Sequence, residues 1–351
     1  METVHLTRPE RVVATAVAAL LLAGSLTAAR SEPDGPRTPA AAPTAPSPPA
    51  VEPVADLPPV PPAPPLTGCP PPPREAPSGP PRAQPPPAVA DDALPAPLPP
   101  GPKAASLDAV AGKGIWVTNF ADDPVDVAGL VQRATANGLD SVWVRTGGRT
   151  GFYGDRVLPA LVPAAHAAGL RVVAWDFPYL SDPVADARRA QQALALGVDA
   201  FAPDVETRAE GTYATAQRVT LYLSLVRSYA GTTPVAATVP RPTDRRLAEF
   251  PYAAFAPYAD VFVPMVYWSC DEPGELLQQS LDRLSPWLPV APVGQAYDMG
   301  SEGGRRGLPS AEETTRFLDV ARRGGAVGVS LWTIEQTGDA QMGALRDYPW
   351  P

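Results

Sequence analysis

Eight short runs of β-forming residues recur between Gly114 and Glu335: GIWVTNF (114–120), SVWVRTG (141–147), RVVAWDF (171–177), VDAFAPDVE (198–206), PVAATVP (234–240), DVFVPMVYW (260–268), PVAPVGQAY (289–297) and AVGVSLWTIE (326–335). Their starts lie 26 to 37 residues apart. That is the length of a strand, a helix and the two turns that join them. Helix punctuation falls between the runs. Asp123-Pro124 is read as opening one helix that Gly138 closes, Ser181-Asp182-Pro183 opens another that ends at Gly197, and Ser310 and Glu313 stand at capping-box spacing. Eight such units predict a closed (β/α)8 barrel, the TIM-barrel form of the α/β class. The competing architecture is an open doubly wound sheet. That fold favours five to seven strands and a glycine-rich first turn, whereas the turn here, Asn119-Phe120-Ala121-Asp122, contains no glycine.

The residues ahead of the repeats are of another kind. Of the 49 prolines, one lies in residues 1–30, 29 in residues 31–102 and 19 in residues 103–351. A stretch so rich in proline and alanine cannot bury enough apolar surface to offset its ordering entropy. Residues 31–106 are therefore expected to be a disordered, proline-rich linker, and residues 107–351 the folded domain. At ~3.1 Å per residue the linker would span roughly 220 Å fully extended, enough to hold a domain away from an anchoring surface. Residues 1–30 have the order of an export signal: Arg8 and Arg11, an apolar run over 12–26, then Thr27-Ala28-Ala29. The alternative is an uncleaved signal anchor, although the run is shorter than the ~20 residues that cross a bilayer. Leu66-Thr67-Gly68-Cys69 has the pattern of a lipoprotein box. It follows proline-rich residues rather than an apolar run and is read as a chance match.

Charge and composition remove several function classes. The formal net charge is −9, which gives no basic footprint for nucleic acid. Two histidines and two cysteines cannot build zinc-finger arrays, His-rich metal centres or disulfide-knotted scaffolds. No cofactor and no resident metal are expected.

In a barrel the active site forms where strands end and the loops into the helices begin. The polar and aromatic residues at those ends are Asn119; Arg145 and Thr146; Asp176; Asp204 and Glu206; Arg241; Tyr267 and Trp268; Gln295 and Tyr297; Trp332 and Glu335. The fourth run is the most informative. Alternate residues on a strand share a face, so Ala200, Ala202, Asp204 and Glu206 form one row and Phe201, Pro203 and Val205 the other. The apolar second row suits the helix layer, so the first row faces the barrel axis and brings two carboxylates to its mouth. Crowded, partly buried carboxylates hold a proton more tightly, as a general acid acting on a glycosidic oxygen must. The same parity puts Asp176 inward above Ala174, with Trp175 and Phe177 outward. Tyr267, Tyr297 and Trp332 are suited to stacking on sugar rings; Met265 and Tyr267 share an inward face, as do Ser330 and Trp332, while parity sends Trp268 toward the helices.

These residues resemble those of the barrel glycoside hydrolases, in particular the chitinase-type superfamily (family 18) and, more loosely, the family 25 lysozymes. The chitinase pattern D-x-x-D-x-D-x-E is matched by Asp199, Asp204 and Glu206, with Ala202 where the middle aspartate stands. The sixth-strand M-x-Y is similar to Met265-Val266-Tyr267, followed by Trp268 where that family usually has Asp, and Trp332 resembles its eighth-strand tryptophan. The resemblance implies an exported glycoside hydrolase-like enzyme acting on a cell-wall or extracellular polysaccharide. Glu206 would be the acid/base, Asp204 would position or stabilise the reacting centre, and Asp176 would assist. Tyr267, Trp332, Tyr297, Gln295, Arg145, Asn119 and Glu335 would contact the sugar. The departures at Ala202 and Trp268 leave the alternative of a non-catalytic glycan-binding barrel at the cell envelope. The expected partner is a polysaccharide or oligosaccharide, and not nucleic acid. The chain is expected to be monomeric, and secreted or tethered to the cell wall or membrane through its N-terminus.

Three further features carry expectations. His166 is the only histidine of the domain and lies just before the third strand, at the closed end of the barrel, so it is read as structural or exposed. The glycine-rich loop 147–154 lacks the ending of a phosphate loop and is read as either a substrate-contacting loop or a plain connection, like the loop 298–309. A bond between Cys69 and Cys270 would tie the spacer over the barrel mouth, so two free thiols are the preferred expectation.

Overall fold

The computed structural model describes Cys69, residues 88–118 and residues 125–351. The chain divides into two units, Met1–Ala50 and Val51–Pro351. The first lies outside the described residues. So do the expected export signal, most of the expected linker, the Asp123-Pro124 helix opening and Asn119.

The second unit contains the eight expected βα repeats. The strands are β1 (Gly112–Val117), β2 (Ser141–Gly148), the short β3 (Gly151–Phe152), β4 (Arg171–Asp176), β5 (Ala200–Pro203), β6 (Ala236–Pro240), β7 (Val261–Val266), β8 (Val293–Gln295) and β9 (Gly328–Trp332). Apart from β3, which folds back antiparallel on β2, neighbours pair in parallel in the order β5-β4-β2-β1-β9-β8-β7-β6. The remaining seam, between β5 and β6, is joined by two parallel bridges, Phe201 with Val235 and Asp204 with Thr238. The ring is thus nearly closed, its eighth seam joined by isolated bridges rather than by a ladder, and its parallel order around the ring is that of a barrel rather than of an open doubly wound sheet.

Eight helices coat the ring: α1 (Val127–Ala136), α2 (Leu158–Ala167), α3 (Pro183–Leu194), α4 (Ala216–Ala230), α5 (Asp244–Glu249), α6 (Pro273–Leu284), α7 (Ala311–Arg323) and α8 (Asp339–Asp347). Side-chain oxygens satisfy the free N–H groups at most of their starts. Asp182 accepts from Val184 and Ala185 ahead of Pro183, and Ser310 and Glu313 form the expected capping box. The first helix opens on Asp126, which accepts from Gly129 N at 3.0 Å. Gly138 and Gly197 follow their helices at φ 58° and 81°, a left-handed region that favours glycine.

The lumen is filled unevenly. Trp116, Trp143 and Trp175, on β1, β2 and β4, pack against Ala200, Ala202 and Ala236 on β5 and β6. Large side chains on one wall meet small ones on the other, which fills the ring without voids. The indole centroids of Trp116 lie 4.8 Å from Trp143 and 5.4 Å from Trp175. Each ring N–H is satisfied: Trp116 donates to Ser330 Oγ at 2.9 Å, Trp143 to Ser141 Oγ at 3.0 Å, and Trp175 to the Val117 and Trp143 carbonyls. Gly114 admits this packing, because a Cβ there would stand 2.7 Å from Trp143 Nε1. Leu107, Ala109 and Val110 join the same lumen core.

Residues 88–106, which composition assigns to the linker, lie on the barrel. Ala90 and Leu94 have φ/ψ of −63°/142° and −75°/136°, the polyproline II conformation. The segment follows α4. Val89 N donates to Ser181 O, Arg218 donates to Val89 O, Leu98 N donates to Ser224 Oγ at 3.0 Å, and Ala104 N donates to Asp260 Oδ1 at 3.0 Å. Arg227, almost fully buried and ion-paired with Asp260, also donates to Pro102 O. The proline-rich chain is ordered here because α4 supplies partners for its backbone groups.

Cys69 and Cys270 form a disulfide, with Cα atoms 5.7 Å apart. This corrects the expectation of two free thiols. That expectation weighed the geometry of a spacer crossing the mouth, which the local sequence around either cysteine does not encode.

Candidate active site

The parity read from the fourth repeat holds. Ala200 and Ala202 sit in the lumen, Phe201 and Val205 sit between barrel and helices, and Asp204 and Glu206 line the mouth. The inward row ends in carboxylates because only the top of the lumen meets solvent. Asp204 is buried, and its Oδ1 has no hydrogen-bond partner among the described residues. Burial pushes its carboxyl up to about 7; the Arg145 guanidinium opposes the shift and the Asp176 carboxylate adds to it. Near neutrality Asp204 is therefore poised between a proton donor and an anion. Glu206, two residues on, is half-buried at the mouth.

The site is a cleft of two adjoining lobes, of about 480 and 440 Å³, that share Asp204, Glu206, Glu210 and Trp332. The larger lobe adds Tyr267, Tyr297, Thr238, Arg241 and Met299. The smaller adds Arg145, Arg149, Trp175 and Tyr179. Each volume is in the range of a site for a small ligand or a few sugar units. Trp332 stands between the lobes, its ring centroid 5.6 Å from that of Trp116 and 5.3 Å from that of Trp175. Tyr267 and Tyr297 meet edge to face at 5.5 Å. Burial, followed by the charges of the surrounding groups, raises the Tyr267 phenol well above its usual value, so it remains a neutral hydrogen-bond donor. Tyr297 donates to Glu302 at 3.1 Å. In the smaller lobe Arg145 lies 5.0 Å over the Trp175 ring and Arg149 5.2 Å over Tyr179. The glycine-rich loop thereby contributes to the cleft through Arg149, with Gly151 at φ 102° making the turn into β3.

Three expected positions turn out otherwise. Asp176 does not face the lumen. Val173 and Trp175 do, so Asp176 and Ala174 point behind the barrel wall. There Arg189 Nε donates to Asp176 Oδ2 at 2.7 Å, and Arg189 Nη1 to Asp186 Oδ1 at 2.8 Å. Burial raises both carboxyls, Asp186 to about 6, and Arg189 opposes the shift in each. The parity of this strand is set by the lumen's need for a large side chain beside the small Ala202 of the adjacent β5, which Trp175 supplies. Gln295 is buried and ties loops together, accepting from Ser269 N at 2.8 Å and donating to Tyr297 O at 3.0 Å. Glu335 is exposed and accepts from Thr118 N at 2.9 Å, away from the cleft. Asp199 lies at the other end of the barrel, where it meets His166 Nε2 at 2.8 Å and accepts from Val172 N, in keeping with a structural His166. Trp268 packs among the helices, as its parity required, and donates to Glu313, which also receives Arg305 at 2.7 and 2.9 Å.

Sequence reasoning missed Glu210, Arg246 and Glu302. Glu210 ends a turn, Arg208–Glu210, directly after the fourth strand and accepts from the Thr207 hydroxyl. Its spacing of four from Glu206 was visible, but nothing local shows that the turn folds it back over the mouth. Among the described residues, no group of three or more His, Cys, Asp or Glu side chains is arranged to hold a metal ion, and no helix is long and apolar enough to cross a membrane.

A parallel eight-stranded barrel with carboxylates and aromatic rings at its open end defines the class to which this chain belongs. No family model matches the chain, and no curated protein matches it by sequence. Solved structures do match its fold. A chitinase from Chromobacterium violaceum superposes with a TM-score of 0.51 at 11% identity, over 67% of this chain and 98% of that one. The spore cortex-lytic enzyme SleL of Bacillus megaterium gives 0.52 at 10% identity, over 68% and 73%. A class V chitinase from Pseudomonas fluorescens gives 0.50 at 12% identity, over 67% and 98%. At such identities the likeness is one of fold: the chain is built on the barrel that these enzymes use.

Proposed function

We propose that this chain is an exported glycoside hydrolase-like enzyme that cleaves a cell-wall or other extracellular polysaccharide by carboxylate acid/base catalysis. One observation carries the reading: Asp204 and Glu206 emerge on a single inward row into a cleft walled by Trp332, Tyr267 and Tyr297. Glu206, the more accessible of the two, protonates the leaving oxygen. Asp204, which holds its proton below about pH 7, positions the reacting centre through a hydrogen bond. Asp176, behind the wall, acts only through its field, raising the proton affinity of Asp204. The aromatic rings stack on the sugars, and Arg145 contacts their polar groups. The barrel shared with chitinases and with SleL supports a structural glycan as substrate and a site of action outside the cytoplasm.

Glu206→Gln is expected to lower the release of reducing ends from a polysaccharide panel by roughly 10²- to 10⁴-fold, the usual contribution of a general acid, while leaving oligosaccharide affinity within a few-fold. Turnover at the wild-type rate would remove Glu206 from this role. The alternative of a glycan-binding barrel without catalysis is favoured by one observation. Ala202, in place of a carboxylate below Asp204, is packed into the tryptophan-filled lumen. Binding by the unmodified protein, with no reducing ends released from any member of the panel, would decide for that alternative.

A further inference from the structure

The larger lobe ends in a cluster of positive charge that acid/base chemistry does not use. Arg241 follows β6 directly and is half-buried in the lobe wall. Its guanidinium makes no hydrogen bond or ion pair with any described residue, and its nitrogens are not closed off from solvent. The nearby cations do not compete for the same partner. Arg246, on α5, also lines the lobe and donates to Arg241 O at 3.2 Å, and Arg283, on α6, is ion-paired with Asp244. Burial depresses the proton affinity of Arg241; the Asp271 carboxylate opposes the shift, more strongly than either Arg246 or Arg283 adds to it. A cation held in a cleft wall beside two others, with its fork of donors unused by the protein, is available to a negatively charged ligand.

The carboxylates of the lobe do not fill that role. Glu302 receives the Tyr297 hydroxyl, Glu210 receives the Thr207 hydroxyl, Asp204 is a neutral acid over much of the range below pH 7, and Glu206 shares the lobe without a hydrogen bond or ion pair to Arg241. A second observation marks the same wall as a polar binding surface. Thr238, three residues before Arg241 and almost wholly buried, has a hydroxyl without a hydrogen-bond partner among the described residues. It lines the lobe between Asp204, to which its strand is bridged, and Arg241.

We propose that Arg241, seconded by Arg246, recognises an oxyanion on the sugar unit bound in the larger lobe, so that the preferred glycan is negatively charged rather than neutral. A carboxylate on a sugar acid and a phosphate ester both match the planar donor fork of a guanidinium. The inference rests on the glycan reading of the cleft and specifies the substrate class.

The test uses the full chain carrying Glu206→Gln, so that bound saccharide is not turned over. Calorimetry would compare three hexasaccharides: uncharged chitin hexamer, oligogalacturonate, and a phosphorylated chitin hexamer. The better of the two anionic ligands is expected to bind roughly tenfold more tightly than the neutral one, the scale of one charge-assisted contact. Which of them binds more tightly identifies the source of the oxyanion. Adding Arg241→Gln should erase the preference, Arg241→Lys should restore part of it, and raising the salt should narrow it. Arg246→Gln, at a more peripheral position, should weaken the preference without abolishing it and serves as the second variant if Arg241→Gln unfolds. Equal affinity for all three ligands, unchanged by Arg241→Gln, would overturn the charge recognition and leave the glycan reading standing. Absence of binding by all three would overturn both.

Discussion

Asp204 shows how one residue's surroundings determine its chemistry. Its carboxyl is raised from 3.8 to about 7, first by burial and then by Asp176, against the pull of Arg145. Between about pH 4 and pH 7 the folded protein therefore holds a proton that the unfolded chain has released, and stability falls as pH rises through that window. Asp186, raised to about 6, contributes with the same sign over the lower part of it. The urea midpoint should drop from pH 4.5 to pH 7.5, and Asp204→Asn, which cannot ionise, should reduce that drop. If the neutral acid is the working form, kcat/KM of the wild type should also decline above about pH 7, a limb that Asp204→Asn would lack. A profile level from pH 5 to pH 9 would rule out that role. The placement of Asp204 and Glu206 was legible in the sequence, because alternate residues of VDAFAPDVE differ sharply in size and polarity. The placement of Asp176 was not. In RVVAWDF both phases are acceptable to a single strand, and only the alanines of the neighbouring β5 make Trp175 the inward residue.

At the scale of elements, the segment 88–106 behaves as part of the domain that composition assigns to its linker. It supplies the partner of Tyr258 Oη, which donates to Leu98 O at 3.0 Å, and adds further hydrogen bonds to Ser224 Oγ and to the buried pair Arg227 and Asp260. Each buried polar group left without a partner costs about 1–3 kcal/mol. The chain loses less entropy on ordering than an ordinary loop, since proline already restricts its backbone. A protein starting at Ala88 should therefore unfold at a higher urea concentration than one starting at Leu107, by the equivalent of at least about 2 kcal/mol. Equal midpoints would show that the segment is carried passively. The helices were the most legible elements, because their caps are local: Asp182 before Pro183, and Ser310 three residues ahead of Glu313, close their hydrogen bonds within one turn. The segment was illegible for the converse reason. Its partners lie more than a hundred residues away, on α4 and in the loop that leads into β7.

At the scale of the whole molecule, the disulfide joins residues 201 positions apart. Alkylation of the oxidised, denatured protein should label no thiol, and alkylation after reduction should label two. Two labelled thiols before reduction would show the pair to be unjoined. The sequence by itself determined the barrel, through eight repeats of one length and period. It also determined which of the fourth strand's residues reach the mouth. Both follow from patterns whose physical cause, side-chain alternation and local capping, acts within a few residues. Tertiary structure alone decided that Asp176 lies behind the wall with Arg189, that Glu210 and Glu302 join the cleft, that Arg241 faces it without a described partner, and that Cys69 meets Cys270. Each of these depends on which distant surfaces the ring brings together, and packing volume and charge pairing across the ring are properties that no single stretch of chain carries.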